Sequence, residues 1–228
     1  MRTPRGLERL NAFADAVVAI AITLLILPLV DISVSYHGDL GALLAAHSNQ
    51  LFAFGLSFAV IARLWLVHHK IAENLRTYDR AVLIWTLVWL FTIVFMPLPT
   101  ELIGRRNTQA TTALYIATLL AGSICLSALA WLGAHRAELR DPAAPAEEVV
   151  RQSEGAWGAS VTLAIALILA LAVPPVSLYG LLLLFVEPWL TRFVRRWRTR
   201  RQADSHREPS RPELGRITGN EPPKPDDA

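Results

Sequence analysis

The chain has 228 residues, of which 53% are hydrophobic and 18% charged, with a formal net charge of +3 at pH 7. The charges sit in a few short blocks, whereas windows such as 56–61, 81–96 and 163–173 are apolar all round. That pattern excludes a soluble amphipathic domain and points to an all-α, polytopic membrane protein. The single cysteine, Cys125, excludes a disulfide framework within one chain and, inside an apolar window, reads as a small packing residue.

Six apolar runs are long enough to cross about 30 Å of hydrocarbon at about 1.5 Å per residue. The first, 10–30, carries Arg9 and Asp15 at its doorstep and then fifteen uncharged residues, 16–30. Charges so placed are costly unless partnered. Arg9 and Asp15 are six positions apart, about 240° around a helix, so they do not face one another and each needs a partner elsewhere. Further along the same run, Ile20, Thr23 and Leu27 fall at i, i+3 and i+7 on one stripe, and Thr23 is the only polar residue of 16–30. Around a symmetry axis the stripe would become rings: two dry constrictions with hydroxyls between them. Against lipid or another helix the same residues are ordinary packing surface, with Thr23 bonded back to a helix carbonyl. Spacing by itself favours this second reading.

The second run, 49–69, returns across the membrane and brings its end to the level of Asp15. Trp65 and His68 are three apart on one face there, offering an indole N–H and an imidazole N–H to the carboxylate. The plainer readings are a helix N-cap for Asp15 and an interfacial anchor for Trp65. His69 and Lys70 read as a solvated helix end. His69 and Glu73, four apart, would be half a metal site, with no further ligands evident. The remaining runs are 81–97, 110–134, 156–173 and 176–193, the last two joined by Pro174-Pro175, which forces a tight hairpin. The other connections are short, so no soluble domain is inserted. The domain division expected is a membrane domain, 1–201, followed by a Pro-rich polar tail, 202–228, with too little apolar surface to order itself.

Arginine and lysine place the ends. Arg2, Arg5 and Arg9, then Lys70, Arg76 and Arg80, then Arg136, Arg140 and Arg151, then six arginines in 192–201 all fall on one side of a six-helix topology. By the positive-inside tendency that side is cytoplasmic, with both termini inside, against the minor exception of Arg105 and Arg106. A basic start and the small residues Ser33-Val34-Ser35 also fit a cleaved signal peptide, but an aspartate at the start of the apolar core does not. Arg195, Arg196, Arg198, Arg200 and Arg201, with Trp197 among them, suit anionic lipid headgroups better than nucleic acid.

The run Arg9-x-x-x-Phe13-Ala14-Asp15, leading into the apolar stretch to Leu27, resembles the first-helix signature Arg-x-x-x-Phe-Ser-Asp of the transmembrane protein 175 family of potassium channels. Trp65-x-x-His68-His69 closing the second run and Phe95-Met96-Pro97-Leu98-Pro99-Thr100 closing the third are similar to that family too. The motifs cover about residues 9 to 104; beyond them the resemblance rests on helix number. It implies a cation channel without the Thr-Val-Gly-Tyr-Gly filter, which is absent here as well, its pore lined by first helices and its single-repeat prokaryotic chains assembled as tetramers. By position it implies that Ile20 is the hydrophobic constriction, Thr23 the polar layer beside it and Leu27 the next apolar ring outward. Arg9, Phe13 and Asp15 would form a structural network with Trp65 and His68. Ala14 stands where the family usually has serine, so one hydroxyl of that network is missing.

The expectation is therefore a passive, homotetrameric, potassium-permeable channel of a prokaryotic plasma membrane, without cofactor or nucleic-acid partner. No nucleophile, base and oxyanion donors lie at a spacing usable for catalysis. Two other classes compete. A proton-coupled transporter would use Asp15 and His68 as a relay and show broken helices near mid-membrane, for which Pro97 and Pro188 are the nearest candidates. A non-conducting scaffold would use the arginine-rich end to grip anionic lipid.

Overall fold

A backbone in hydrocarbon finds no water to satisfy its N–H and C=O groups, so apolar runs of this kind fold as helices whose hydrogen bonds are internal. The computed structural model describes residues 4–35 and 39–172, all built on helices. In chain order these are α1 (Pro4–Leu24), α2 (Leu27–Ser35), α3 (Leu40–Ala46), α4 (Ser48–Glu73), α5 (Arg80–Phe95), α6 (Pro97–Arg105), α7 (Gln109–His135) and α8 (Ala146–Ala172). Among the described residues five stretches are long and apolar enough to cross a membrane: Arg5–Ile32, Ser48–Glu73, Arg80–Arg105, Gln109–His135 and Ala146–Ala172. The expected sixth helix at 176–193, the Pro174-Pro175 hairpin, the cluster Arg195, Arg196, Arg198, Arg200 and Arg201, and the division between 1–201 and 202–228 lie outside the described residues.

Two of the expected helices are broken, each at a proline. The first run begins earlier than residue 10, at Pro4, and α1 gives way to α2 at Leu25-Ile26. Pro28 has no N–H for the Leu24 carbonyl and its ring crowds that oxygen, so the chain tightens into i→i+3 bonds, Leu25 N to Ile22 O at 3.3 Å and Ile26 N to Thr23 O at 3.4 Å. The third run does not stop at Pro97. It bends at Met96 and continues as α6 to Arg105, with Pro97 in the first turn, where a missing N–H costs nothing. The fifth run starts ten residues before 156, because Glu147 and Glu148 in the first turn of α8 complement the positive end of the helix dipole. Other starts are capped by side chains: Asp79 accepts from Val82 N on α5, and Thr108 and Thr111 form a reciprocal capping box on α7.

Helix α7 is the centre of the packing, in contact with α4, α5, α6 and α8. Lipid tails are as apolar as leucine, so helices here associate through close approach and through hydrogen bonds between them. Gly122 on α7 supplies the first: a Cβ there would lie 3.0 Å from Thr92 Oγ1 of α5. The second comes from hydroxyl clusters. Ser160 of α8 lies 2.8 Å from Ser123 Oγ and 2.9 Å from Ser127 Oγ on α7. Ser57 of α4 lies 3.1 Å from Tyr115 OH of α7 and 2.8 Å from Thr100 Oγ1 of α6. At the end where α4 meets α5 and α7 meets α8, the two connections are stitched together. Arg76 N donates to Leu139 O and Asp141 N to Asn74 O, both at 2.9 Å, while Asp79 pairs with Arg136 and Asn74 Nδ2 donates to Gln152.

Because Gly122 faces a short side chain already bonded to the Trp89 carbonyl, Gly122→Leu has nowhere to go. It is expected to destabilise the detergent-solubilised protein by about 1–3 kcal/mol. Ser160→Ala, which only returns two serines to carbonyls of their own helix, is expected to cost about 0.6 kcal/mol. Thermal unfolding of the two variants side by side checks both the sign and the order.

Candidate functional site

The pattern of α1 sorts its side chains into two opposed faces. Leu7, Ala14, Val18, Ala21 and Leu25, spaced by seven, four, three and four, are buried and form the edge that meets α4 and α5. About half a turn away, Ile20 is 59% and Leu27 52% exposed, with Thr23 exposed between them. One chain thus leaves this apolar face without cover from any described helix. Thr23 Oγ1 donates to the Ile20 carbonyl at 2.7 Å. The back-bond expected of a plain packing threonine is therefore present, yet it does not remove the residue from use. With its one proton committed to the helix, the hydroxyl oxygen presents only lone pairs outward and is an acceptor toward whatever occupies that face.

At the start of the stretch, Asp15 Oδ1 accepts the indole N–H of Trp65 at 2.8 Å, tying α1 to α4. His68 does not join Trp65 as a second donor in the way its spacing suggests. It is buried and stacks on Trp89 of α5, with ring centroids 4.2 Å apart and planes 5° from parallel. The reason is geometric: residues three apart differ by about 60° around a helix, which turns His68 off the Asp15 side and into the α4–α5 contact. His69, on the other flank, stacks on Trp65 at 5.4 Å and lies 3.4 Å from Glu73. Arg9 is exposed and Phe13 is 51% exposed, and of the five residues expected there only Asp15 and Trp65 share a hydrogen bond among the described contacts. Ala14 belongs to the buried edge of α1 at 1% exposure. A serine in that place would bury a hydroxyl against α4 and α5, and alanine needs no partner.

Two features of the site escaped the reading by motif. Pro28 interrupts the helix between the levels of Thr23 and Leu27, and the signal for it, a proline inside an otherwise helical apolar run, was in plain view. The Ser57–Thr100–Tyr115 cluster joins residues far apart in the chain, so no local pattern announces it. Beside it, Asn49, Phe52, Ala53, Leu56, Ile103, Asn107 and Tyr115 line a cavity of about 50 Å³.

Comparison with known proteins relates the chain to one family. Residues 9–97 match the family described as endosomal/lysosomal potassium channel TMEM175. A protein of Streptomyces collinus named as a potassium channel is 31% identical over 188 residues, covering 78% of this chain and 89% of the relative. A potassium channel of Chamaesiphon minutus is 34% identical over 131 residues, 53% of this chain and 63% of that one. The chain also shares its fold with the crystal structure of a lysosomal potassium-selective channel TMEM175 homologue from the same organism. The TM-score is 0.67 at 24% identity, over 81% of this chain and 97% of the other.

Asp15→Ala leaves the Trp65 indole N–H without its acceptor at the junction of α1 and α4, and the expected cost is about 1–3 kcal/mol. Trp65→Phe should cost a similar amount, and the double variant little more than either alone, because both remove one bond. A thermal-unfolding double-mutant cycle in detergent measures it; additive losses would show that the two residues act separately.

Proposed function

The chain belongs to the TMEM175 family of ion channels, and from that membership we propose that it is a potassium-permeable channel, whose pore is lined by α1 from several copies. It is a channel and not an enzyme, and it works as an oligomeric, multi-pass membrane protein. In detail, four copies surround an axis. Ile20 forms the hydrophobic constriction, Thr23 the polar layer beside it and Leu27 the next ring outward, while Asp15 and Trp65, with Arg9, Phe13 and His68 around them, hold the cytoplasmic end. The observation that supports this is the exposed Ile20/Thr23/Leu27 face lying opposite the packing edge of α1. A helix with a dedicated packing edge and a second, uncovered apolar face containing one oriented acceptor is suited to line a pore.

Each chain contributes six spanning helices with both termini in the cytoplasm, and it resides in the plasma membrane of a prokaryote. Potassium ions and anionic lipids are its partners, without cofactor or nucleic acid. Arg195, Arg196, Arg198, Arg200 and Arg201 hold lipid headgroups, each worth about 1 kcal/mol at the surface. The transporter reading is weakened because Asp15 bonds Trp65 while His68 stacks on Trp89, so the two members of its relay do not share a hydrogen bond in the described contacts. The scaffold reading predicts no ion flux.

Potassium release from liposomes holding the purified protein, with and without an opposing sodium gradient, separates the three. A potassium-permeable channel gives passive flux at every pH; a proton-coupled transporter gives flux only with a proton gradient; a scaffold gives none. Within the channel, Ile20→Asn is expected to wet the constriction, raise conductance and erode the preference for potassium over sodium. Thr23→Ala is expected to lower selectivity with little gain in current. Wild-type single-channel records from both variants would refute α1 as the pore helix.

A further inference from the structure

Three helices each bring one polar side chain to a small cavity beside the start of α1. Asn11 of α1, His68 of α4 and Thr86 of α5 line it, among apolar residues of the same helices and Leu129 of α7, and its volume is about 10 Å³. His68 and Thr86 are buried, at 4% and 2% exposure. Thr86 does not return its hydroxyl to a carbonyl of its own helix, as Thr92 and Thr118 do. Its side chain, the Asn11 amide and both ring nitrogens of His68 make no hydrogen bond among the described residues. One face of the His68 ring is covered by Trp89, which leaves the ring edge as the part that can meet a partner. A hydroxyl and an imidazole buried with nothing to bond are costly, and here both open on one cavity.

We propose that this cavity is a binding site for one water molecule, held by Asn11, His68 and Thr86, which ties α1 to α4 and α5 one turn before the Asp15–Trp65 bond. The volume is about that of one water-sized probe, room for a single water and for nothing larger. Three polar groups converge on it, the usual number of partners for a buried water, and amide, hydroxyl and neutral imidazole between them offer both donors and acceptors. A metal ion is a poor fit, since no carboxylate lines the cavity and a hard cation takes about six oxygens or more. The water also accounts for the placement of His68. Its ring is spent on Trp89, yet its edge still serves α1, through a bridge nearly as favourable as a direct hydrogen bond. The site depends on the packing of α1 against α4 and α5 and not on α1 lining the pore.

A crystallographic or cryo-electron-microscopy map of the wild-type protein, sharp enough to show ordered water, tests this directly. One density within hydrogen-bond distance of Asn11, His68 and Thr86 is expected, and an empty cavity in a map that shows waters elsewhere overturns the site. Thr86→Val keeps the shape of the side chain and deletes its hydroxyl, so its effect has a sign. With the water bound, the substitution removes one of three holds, and the unfolding equilibrium constant in detergent is expected to rise roughly 2- to 10-fold, one hydrogen bond's worth. In a dry cavity the same change relieves an unpaired hydroxyl, so stability that stays level or increases overturns the water. Asn11→Leu is expected to cost a similar factor, and the double variant less than the product of the two, because both residues hold the same molecule. Losses that multiply show residues acting separately and overturn the shared site. Should Asn11→Leu fail to fold, the map and Thr86→Val still decide. None of these readings uses ion flux, so the water can fail while α1 stands as the pore helix, and the reverse.

Discussion

Everything in this structure follows from how little of α1 is buried. Its contact edge is a narrow line of Leu7, Ala14, Val18, Ala21 and Leu25, with three of the five positions held by alanine or valine, so α1 lies close against α4 and α5 without presenting bulk to them. The other side stays apolar and uncovered. In a soluble protein such a face would be a liability; in a membrane it can meet lipid or copies of itself at no hydrophobic cost. That face carries one hydroxyl, Thr23, between Ile20 and Leu27, and at its start a carboxylate held by an indole from the neighbouring helix.

The other described helices form the wall against which that helix packs. Its strength comes from contacts that gain nothing from water exclusion: the close approach of α5 and α7 at Gly122, the serine cluster between α7 and α8, and the Ser57–Thr100–Tyr115 hydroxyls joining α4, α6 and α7. Hydroxyls serve because each can satisfy a carbonyl of its own helix or a partner across the interface, and so carries little penalty in either state. Trp89 shows the other side of this accounting. Its indole nitrogen is buried with no acceptor among the described residues, while its ring face is taken by His68. The stack fixes α4 against α5 at the level of the Asp15–Trp65 bond, which places two tryptophans and a histidine around the root of α1.

The two proline breaks are placed together. Leu25, Pro28 and Leu29 from the first stretch and Pro97, Thr100, Glu101 and Gly104 from the third line one small cavity of about 10 Å³. Both helices are therefore interrupted on the same side of the membrane and next to one another. The segments beyond the breaks, α2 and α6, are short, and α6 packs on α4 and α7. In the first stretch α2 is thus separated from α1 by a turn of longer bonds, Leu25 N to Ile22 O and Ile26 N to Thr23 O.

The sequence by itself determined the solvent, the helical class, the existence of five of the spanning stretches though not the end of the third or the start of the fifth, and the family. Each of these depends on composition, on runs of about 20 residues or on a local motif, and those quantities are readable along the chain. It also determined that Ile20, Thr23 and Leu27 share a stripe, since that is a matter of helical period alone. What it left open was which way the stripe faces. Burial of Ala14, Val18 and Ala21 depends on where α4 and α5 lie, and only their packing set the exposed face apart from the contact face. In the same way, spacing put Trp65 and His68 on one side of a helix, but two residues about 60° apart can serve two different neighbours. The tertiary structure gave Trp65 to Asp15 on α1 and His68 to Trp89 on α5, because a helix wedged between two others divides its side chains between them.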